Sequence, residues 1–474
     1  MVIGLEAHVQ LLTKSKLFCG DSAAFSTDPN THISPVTLAH PGTLPKMNAR
    51  AIEYAVKLGL ALDCSIDRHN YFARKNYFYP DLPKGYQVSQ HTTPICRNGF
   101  VKIKIADTER KIRLNRIHIE EDAGKSLHDV DENYTAIDLN RAGVPLLEIV
   151  SEPDMHSSEE AFAYITELRK LVTWLGICDG NMEEGSMRCD ANISVRLKGD
   201  KKLGTRVEIK NLNSIRNVKK AVDIESARLI NLIENNQAII QETRSFNADN
   251  ETTFPLRGKE DADDYRYFPE PDLTPFNITD DYLAEVRNNL PDLPETKKEK
   301  FNREFLLSEY DAGLLCNDRL QAEYFEEVIK YNQNYKAVAN WMLGPVKSHL
   351  NDSNSGYDSF TLTPEKLADL ITLVDEDKLS FGTASTKVLT ALLEHPNKHP
   401  LETASELNLI LENDSSSIEF WVDEVIAKMP DKVVEYKKGK KGLIGLFAGE
   451  IKKLSKGKAD MQIVNSMLKK KLNN

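Results

Sequence analysis

The sequence predicts an α+β protein, in which a domain of mixed strands and helices precedes a helical part. Residues 2–11, 187–197 and 205–210 alternate apolar and polar side chains at a two-residue spacing. This period predicts strands with one buried face. Apolar residues recur every three or four positions in residues 49–62 and 157–175, which predicts helices between the strands.

The polar faces of the three predicted strands carry residue types that hold metal ions and phosphate. Carboxylates and amides bind divalent cations, and guanidinium and ammonium groups bind phosphate. An ordinary solvated face more often carries scattered lysine, threonine and glutamate. For Glu6 and His8 taken alone, such a solvated face remains an alternative. The three polar sets are Gly4, Glu6, His8 and Gln10; Arg188, Asp190, Asn192, Ser194 and Arg196; and Arg206, Glu208 and Lys210.

A second source of carboxylates is the run Glu120, Glu121 and Asp122, which precedes a glycine turn. Such a run can be surface charge at a strand end. Because like charges repel unless a cation lies among them, the run favours a metal site if other acids converge on it. Glu148 lies in an apolar strand after a loop that contains Arg141, and Arg141 can contact a phosphate or form a surface ion pair.

Two prolines in residues 289–295 predict a linker, because proline stops a helix and the pattern after it is continuously helical. We therefore expect one domain over residues 1–290, a helical domain over 291–400 and a helical tail domain over 401–474. From Asp431 to the end, 12 lysines and four acidic residues give a net charge of +8 in a chain of net charge −11. The tail is thus suited to a polyanion.

Composition and missing motifs exclude several classes of protein. No apolar run approaches the roughly 20 residues of a membrane span and no basic leader precedes the first apolar stretch, so we expect a cytoplasmic protein without a membrane partner. The six cysteines are scattered, which predicts reduced thiols. P-loop, G-x-G-x-x-G, kinase and G-x-S-x-G motifs are absent, so phosphate binding would rest on the sheet with metal and basic side chains.

Long motifs in a fixed order resemble the family of B subunits of tRNA-dependent amidotransferases, the enzymes that convert Glu or Asp mischarged on tRNA into Gln or Asn. The resemblance implies a glutamine-synthetase-like cradle domain with a mixed or antiparallel sheet, followed by a helical domain and a small helical tail domain that binds tRNA. The motifs are Val2-Ile-Gly-Leu-Glu-Ala-His-Val, Arg74-Lys-Asn-Tyr-Phe-Tyr-Pro-Asp, residues 118–125 and 140–154, Met182-Glu-Glu-Gly-Ser-Met-Arg-Cys-Asp-Ala-Asn, Glu208-Ile-Lys-Asn-Leu-Asn-Ser, Gln241-Glu-Thr-Arg and residues 264–272.

The resemblance also implies a ligase reaction in two steps, with ATP and Mg²⁺ as cofactors. ATP phosphorylates the side-chain carboxylate of the aminoacyl group, and ammonia then displaces the phosphate. Phosphoryl transfer needs cations that hold the spread negative charge, which the polar faces can supply. The implied roles are catalysis for Glu120, Glu121, Glu208 and Lys210; ATP binding for Arg141, Arg188, Asp190 and Asn192; and Mg²⁺ binding for Glu6, His8, Glu121 and Glu148.

The implied partners follow from the need to deliver ammonia, since this sequence contains no glutaminase nucleophile. The resemblance implies a heterotrimer with two further proteins, the family's glutaminase (its A subunit) and a small bridging protein (its C subunit). The substrate would be Glu-tRNA(Gln), Asp-tRNA(Asn) or both. One alternative is a self-sufficient ligase for a free amino acid, which would leave the basic tail without a role. Another is a tRNA-binding scaffold without catalysis, which would leave the carboxylate faces without one.

One departure from the family pattern concerns zinc. Many relatives bind zinc through four cysteines, but here Cys19 is the single thiol at those positions, and Asp21, Ser34 and Thr37 stand at the others. Because a tetrahedral thiolate site needs more sulfur ligands than this, we expect no zinc.

Overall fold

The computed structural model describes the whole chain except residues 107, 259–264, 412–414, 456–457 and 474. It divides into two compact units, Met1–Leu293 and Pro294–Asn474. The boundary lies within the proline-containing stretch at residues 289–295. Among the described helices, none combines the length and apolarity that a membrane span requires.

The described residues of the first unit form strands and four helices. Its strands are β1 (Val2–Gln10), β2 (Ser65–Ile66), β3 (His69–Asn70), β4 (Ala73–Asn76), β5 (Tyr86–Ser89), β6 (Cys96–Arg97), β7 (Phe100–Ile105), β8 (Thr108–Glu121), β9 (Lys125–Leu127), β10 (Ala136–Asp138), β11 (Pro145–Ser151), β12 (Met187–Ser194), β13 (Val207–Leu212), β14 (Glu242–Asn247), β15 (Thr252–Gly258), β16 (Phe268–Pro269) and β17 (Phe276–Asn277). Its helices are α1 (Ala49–Ala61), α2 (Ser158–Trp174), α3 (Ile215–Glu234) and α4 (Asp280–Asn288).

One large sheet organises this unit. Its strand order is β15-β14-β13-β12-β1-β11-β8-β6-β2, with β7 paired to the first half of β8. The first strand in the sequence therefore lies at the centre, between β11 and β12. The described pairs of this sheet are antiparallel except β13 with β14, which is parallel. The α+β prediction with a mixed sheet is confirmed at this level.

The alternating sequence pattern determines which face of the sheet is buried. The apolar residues Ile3, Leu5, Ala7 and Val9 of β1 are fully buried in one hydrophobic core. Helices α1, α2 and α3 contribute to the same core. Helix α2 begins where the sequence predicts, because Ser157 is its N-cap: the Ser157 hydroxyl accepts a hydrogen bond from the Glu160 amide. The helices cover the apolar face, which leaves the polar side chains on the opposite face.

The second unit is built from helices joined by loops in its described residues. Its helices are α5 (Pro294–Glu304), α6 (Glu309–Leu315), α7 (Arg319–Val328), α8 (Tyr335–Trp341), α9 (Lys347–Asp352), α10 (Pro364–Asp375), α11 (Phe381–Thr383), α12 (Leu389–Glu394), α13 (Pro400–Glu406), α14 (Ser415–Lys428), α15 (Pro430–Lys437), α16 (Ile444–Leu454) and α17 (Met461–Asn473). The last four share a core in which Ile418, Phe447 and Leu468 are fully buried.

Candidate active site on the polar face of the sheet

Strand register brings distant sequence segments together on the polar face. His8 of β1 lies opposite Glu148 of β11 on one side and Arg188 of β12 on the other. Glu6 lies opposite Asp190. The predicted polar sets of β1 and β12 therefore form one continuous surface, and the prediction that these segments are strands is confirmed.

The densest group on this surface consists of His8, Glu120 and Glu148. The His8 Nε2 atom is 3.9 Å from a Glu120 carboxylate oxygen and 3.5 Å from a Glu148 carboxylate oxygen. One ligand atom from each of the three residues lies within 4.8 Å of the others, a spacing that can hold a metal ion. His118 adds a second imidazole, with its Nε2 atom 3.4 Å from both carboxylates. We call these four residues the histidine–carboxylate cluster.

Burial and charge perturb the pKa values of this cluster. Burial lowers the pKa of His8, but the hydrogen bond and negative charge of Glu148 outweigh it and raise the pKa. Burial also lowers the pKa of His118, but Glu148 and Glu120 outweigh it and raise this pKa to about 9. Glu148 shows the reverse: burial raises its pKa, while His118 and His8 hold it well below the ordinary range. Without a bound cation, the imidazolium charges stabilise the carboxylates.

A second group lies on the neighbouring strands β12 and β13. The Lys210 ammonium donates to Asp190 at 2.7 Å and lies 3.2 Å from Glu208. Burial opposes the charge on Lys210, but the two carboxylates raise its pKa. Asn192 donates to the Glu6 carboxylate at 2.8 Å. The cation in this group is therefore supplied by the protein itself.

Glu6 lies between the two groups. Burial raises its pKa, and the charges of Glu148 and Glu208 raise it further. Because one carboxylate responds to acids on both sides, the two groups act as one electrostatic unit. A cation bound at this position would lower the pKa of Glu6 and relieve the repulsion.

Glu121 does not lie with the histidine–carboxylate cluster, although it is next to Glu120 in the sequence. Successive side chains of a strand point to opposite faces. The Glu121 carboxylate accepts the Val88 amide at 2.8 Å and forms an ion pair with Lys84. It lines a small cavity together with Lys16 and Gly143. The solvated-surface interpretation of the acidic run is wrong, because Glu120, Glu121 and Asp122 are all about 4% exposed.

The two predicted phosphate-binding arginines have different surroundings. Arg188 donates to Asp122 at 2.6 Å, and its Nε atom is buried without a hydrogen-bond partner among the described residues. Arg141 instead donates to the carbonyl oxygens of Ala123 at 2.9 Å and Gly124 at 2.6 Å. Arg141 thus stabilises the turn after the acidic run, whereas Arg188 keeps one N–H group without a hydrogen-bond partner among the described residues.

One aromatic side chain of the segment at residues 265–272, that of Tyr267, lies near the same cluster. Asp263 and Asp264 lie outside the described residues. Tyr267 stacks on His91 with ring centroids 4.0 Å apart. Burial, together with the charges of Glu120 and Glu148, raises the pKa of Tyr267 to about 12. This segment therefore contributes to the surroundings of the site, as a ligand-contacting loop would.

The residues at the family's zinc positions do not fit a zinc ion. The Thr37 hydroxyl donates to the Asp21 carboxylate at 2.5 Å, and the Cys19 thiol donates to the same oxygen at 3.3 Å. Burial raises the pKa of the Cys19 thiol, which disfavours the thiolate form that binds zinc. Hydrogen bonds among one thiol, one carboxylate and hydroxyl groups occupy the positions where a thiolate site would bind metal.

Sequence reasoning misses two residues of the site. His118 stands in one of the family motifs, and its alternation with Glu120 indicates a shared face that the acidic run obscures. Thr243 of β14 donates to Glu208 at 2.8 Å and lies in the Gln241-Glu-Thr-Arg motif. Period-two spacing could have identified His118, whereas the parallel pairing that brings Thr243 to Glu208 has no local sequence signal.

The fold and this site define a class of protein: a mixed α+β protein whose sheet presents a candidate divalent-cation site beside fixed cationic side chains. Comparison with protein families is more specific. The GatB/GatE catalytic domain matches residues 1–284, and the GatB domain matches residues 323–472. The chain therefore belongs to the GatB/GatE family.

Similar proteins cover the chain from end to end. The B subunit of the aspartyl/glutamyl-tRNA(Asn/Gln) amidotransferase of Syntrophotalea carbinolica is 47% identical over 472 residues, which is 100% of this chain and 98% of that relative. The protein with the same name from Chlorobium phaeobacteroides is 48% identical, over 100% of this chain and 99% of its own length. A third, from Trichlorobacter lovleyi, is 48% identical over 99% of this chain and 98% of its own length.

Proposed function

We propose that this chain is the part of an aspartyl/glutamyl-tRNA amidotransferase that activates the mischarged amino acid with ATP and forms the amide. Its relatives carry this enzyme's name over their full length. The observation that carries the proposal is the continuous polar face, where carboxylates from β1, β8, β11, β12 and β13 converge. A tRNA-binding scaffold would have no need for buried carboxylates that cost free energy to desolvate.

In this proposal His8, Glu120 and Glu148 hold Mg²⁺, with Glu6 beside them. The donor set fits a divalent cation, because the three ligand atoms lie within 4.8 Å of one another. Among the described residues, neither Glu120 nor Glu148 forms an ion pair with a lysine, and the arginine paired with Glu148 is Arg116, at 3.6 Å. Mg²⁺, when bound, supplies the positive charge that phosphoryl transfer requires.

The protein's own cations orient the phosphate groups. Lys210 is fixed by Asp190 and Glu208, so its ammonium group is positioned before substrate arrives. The orphaned Nε atom of Arg188 provides a further donor. Fixed donors stabilise developing negative charge without reorganisation during the reaction. Glu121 and Arg141 are not assigned to metal or nucleotide, because Glu121 lies away from the histidine–carboxylate cluster and Arg141 donates to the carbonyl oxygens of Ala123 and Gly124.

The second step needs ammonia at the acyl phosphate. We propose that a glutaminase and a small bridging protein complete the enzyme, with Glu-tRNA(Gln), Asp-tRNA(Asn) or both as substrate. The tail is the proposed tRNA contact outside the sheet. Its exposed lysines that form no ion pair with another described residue are Lys437, Lys438, Lys441, Lys452, Lys469 and Lys470.

The test is amide formation by the assembled enzyme on mischarged tRNA, with ammonium or glutamine as donor. We expect amide to form only when ATP and Mg²⁺ are both present, with one phosphate released per amide. A free amino acid should not replace the aminoacyl-tRNA. Amide formation without ATP, or ATP consumption on free glutamate alone, would contradict the proposal.

A further inference from the structure

Strand β14 begins within the motif Gln241-Glu-Thr-Arg, to which the reaction described above assigns no function. Two of the strand's side chains, Thr243 and Ser245, are about 1% exposed. In the parallel register of β13 and β14, Thr243 pairs with Glu208 and Ser245 with Lys210. The strand therefore sets two hydroxyl groups beside the two charged residues of β13.

The Thr243 hydroxyl contacts one defined oxygen of Glu208. Thr243 Oγ1 donates to Glu208 Oε2 at 2.8 Å, while Glu208 Oε1 lies 3.2 Å from the Lys210 ammonium. Because each carboxylate oxygen has its own partner, the rotation of the carboxylate plane is fixed. Hydrogen bonds to a charged group are stronger than those between neutral groups.

Ser245 contacts a β-bulge that lies next to Lys210. The pairing of β12 with β13 shifts by one residue between Cys189 and Ala191. On the β13 side, Asn211 has a φ of +66°, a left-handed conformation that asparagine tolerates. Its side-chain amide donates to the Ser245 hydroxyl at 2.6 Å. A β-bulge changes the direction of nearby side chains and often lies beside an active site. Lys210, next to this bulge, donates to Asp190.

The opposite face of β14 is held by a separate network, which provides a control. Arg244 donates through Nε to the Thr253 hydroxyl at 3.0 Å, and that hydroxyl donates to Glu225 at 2.8 Å. Glu225 is fully buried. Thr253 therefore donates a hydrogen bond to a glutamate carboxylate, as Thr243 does, but it lies away from the polar face.

We propose that Thr243 is a positioning residue for the Glu208 carboxylate and that Ser245 positions Lys210 through the bulge. Neither hydroxyl is needed to contact substrate. The inference rests on the proposed function, because Glu208 and Lys210 matter only if this face binds the reacting groups. Loss of the Thr243 hydroxyl should release the carboxylate to turn toward Lys210, which misplaces both groups.

The test compares Thr243→Val, Thr243→Ser, Ser245→Ala and Thr253→Val in the complete enzyme, with mischarged tRNA, ATP and saturating ammonium chloride. Thr243→Val keeps the shape and removes the donor, so kcat should fall about tenfold to a hundredfold while the KM for tRNA stays within about twofold. Thr243→Ser should restore kcat to within about threefold of wild type. Ser245→Ala should lower kcat about threefold to tenfold.

The control separates positioning from stability. Thr253→Val should lower the thermal unfolding midpoint at least as much as Thr243→Val, yet leave kcat within about twofold of wild type. Wild-type kcat in both Thr243→Val and Ser245→Ala would overturn the inference, as would equal losses of kcat in Thr243→Val and Thr253→Val. Failure of the wild-type enzyme to form amide with ATP would instead overturn the proposed function.

Discussion

The polar face of the sheet and the tail helices α14–α17 are both rich in charge, but they use it in opposite ways. On the sheet, the charged groups are buried or half-buried and fixed by partners, as in the contact of Lys210 with Asp190 at 2.7 Å. On the tail, lysines such as Lys469 and Lys470 are exposed and form no ion pair with other described residues. Acids predominate on the first surface and lysines on the second.

This difference indicates a division of labour. A buried, ordered arrangement of charge can stabilise one geometry of reacting groups, which is what a chemical step requires. Exposed lysines on flexible stems match a phosphate backbone without fixed geometry, and they contribute affinity that depends on salt. We therefore expect sheet variants to change kcat and tail variants to change the KM for tRNA.

The largest effect should come from the histidine–carboxylate cluster. We expect His8→Ala and Glu148→Gln each to lower ATP-dependent phosphate release by at least about a hundredfold, because a lost metal ligand removes several kcal/mol of charge stabilisation. Binding of mischarged tRNA should stay within a few-fold of wild type. Single-turnover phosphate release and filter binding measure the two quantities. Near-normal rates in both variants at saturating ammonia would contradict the proposal that this cluster binds the metal.

A pH titration should give an intermediate effect and sharpen the electrostatic side of the comparison. The carboxylates raise the pKa values of His8 and His118, the latter to about 9. At neutral pH the metal-free cluster therefore holds protons, and a metal that binds His8 must displace one. Affinity for Mn²⁺, used as a probe, should rise by up to about tenfold per pH unit while His8 holds its proton, and should level off once that proton is lost. A flat profile would contradict this charge assignment.

The smallest effect should come from the tail. We expect Lys469→Gln with Lys470→Gln to weaken tRNA binding a few-fold and to reduce the slope of log affinity against log salt by up to about two. The matched control is Lys201→Gln with Lys202→Gln, which removes the same charge from exposed positions in the first unit. In neither pair should kcat change. Equal salt slopes for the two variant pairs would contradict the proposal that the tail binds tRNA.

Much of the fold could be predicted because local patterns determine it. The two-residue alternation located β1 and β12 to within a few residues, and Ser157 marked the start of α2. The third predicted strand is displaced by two residues, to Val207–Leu212. Its register depends on the bulge at Asn211 and on pairing with β14, which are long-range features that a single strand's pattern does not contain.

The sequence predicted the residue types of the candidate site better than it predicted which particular residues form the site. Period two correctly placed Glu6 and His8 on one face, and strand pairing brought Glu148 to them. The same rule separates Glu120 from Glu121, so treating the acidic run as one unit hid the distinction. Which strands are neighbours is decided by the whole sheet, and for this reason the contact of Thr243 with Glu208 could not be inferred from the sequence.

The most direct test of the central claim uses the adjacent carboxylates of β8 as a matched pair. Glu120→Gln and Glu121→Gln make the same change one residue apart, on opposite faces of one strand. Mn²⁺ binding, followed by electron paramagnetic resonance in the presence of an ATP analogue, should weaken at least about tenfold in Glu120→Gln and stay within about threefold of wild type in Glu121→Gln. Equal affinity in both variants and in the wild type would contradict the account.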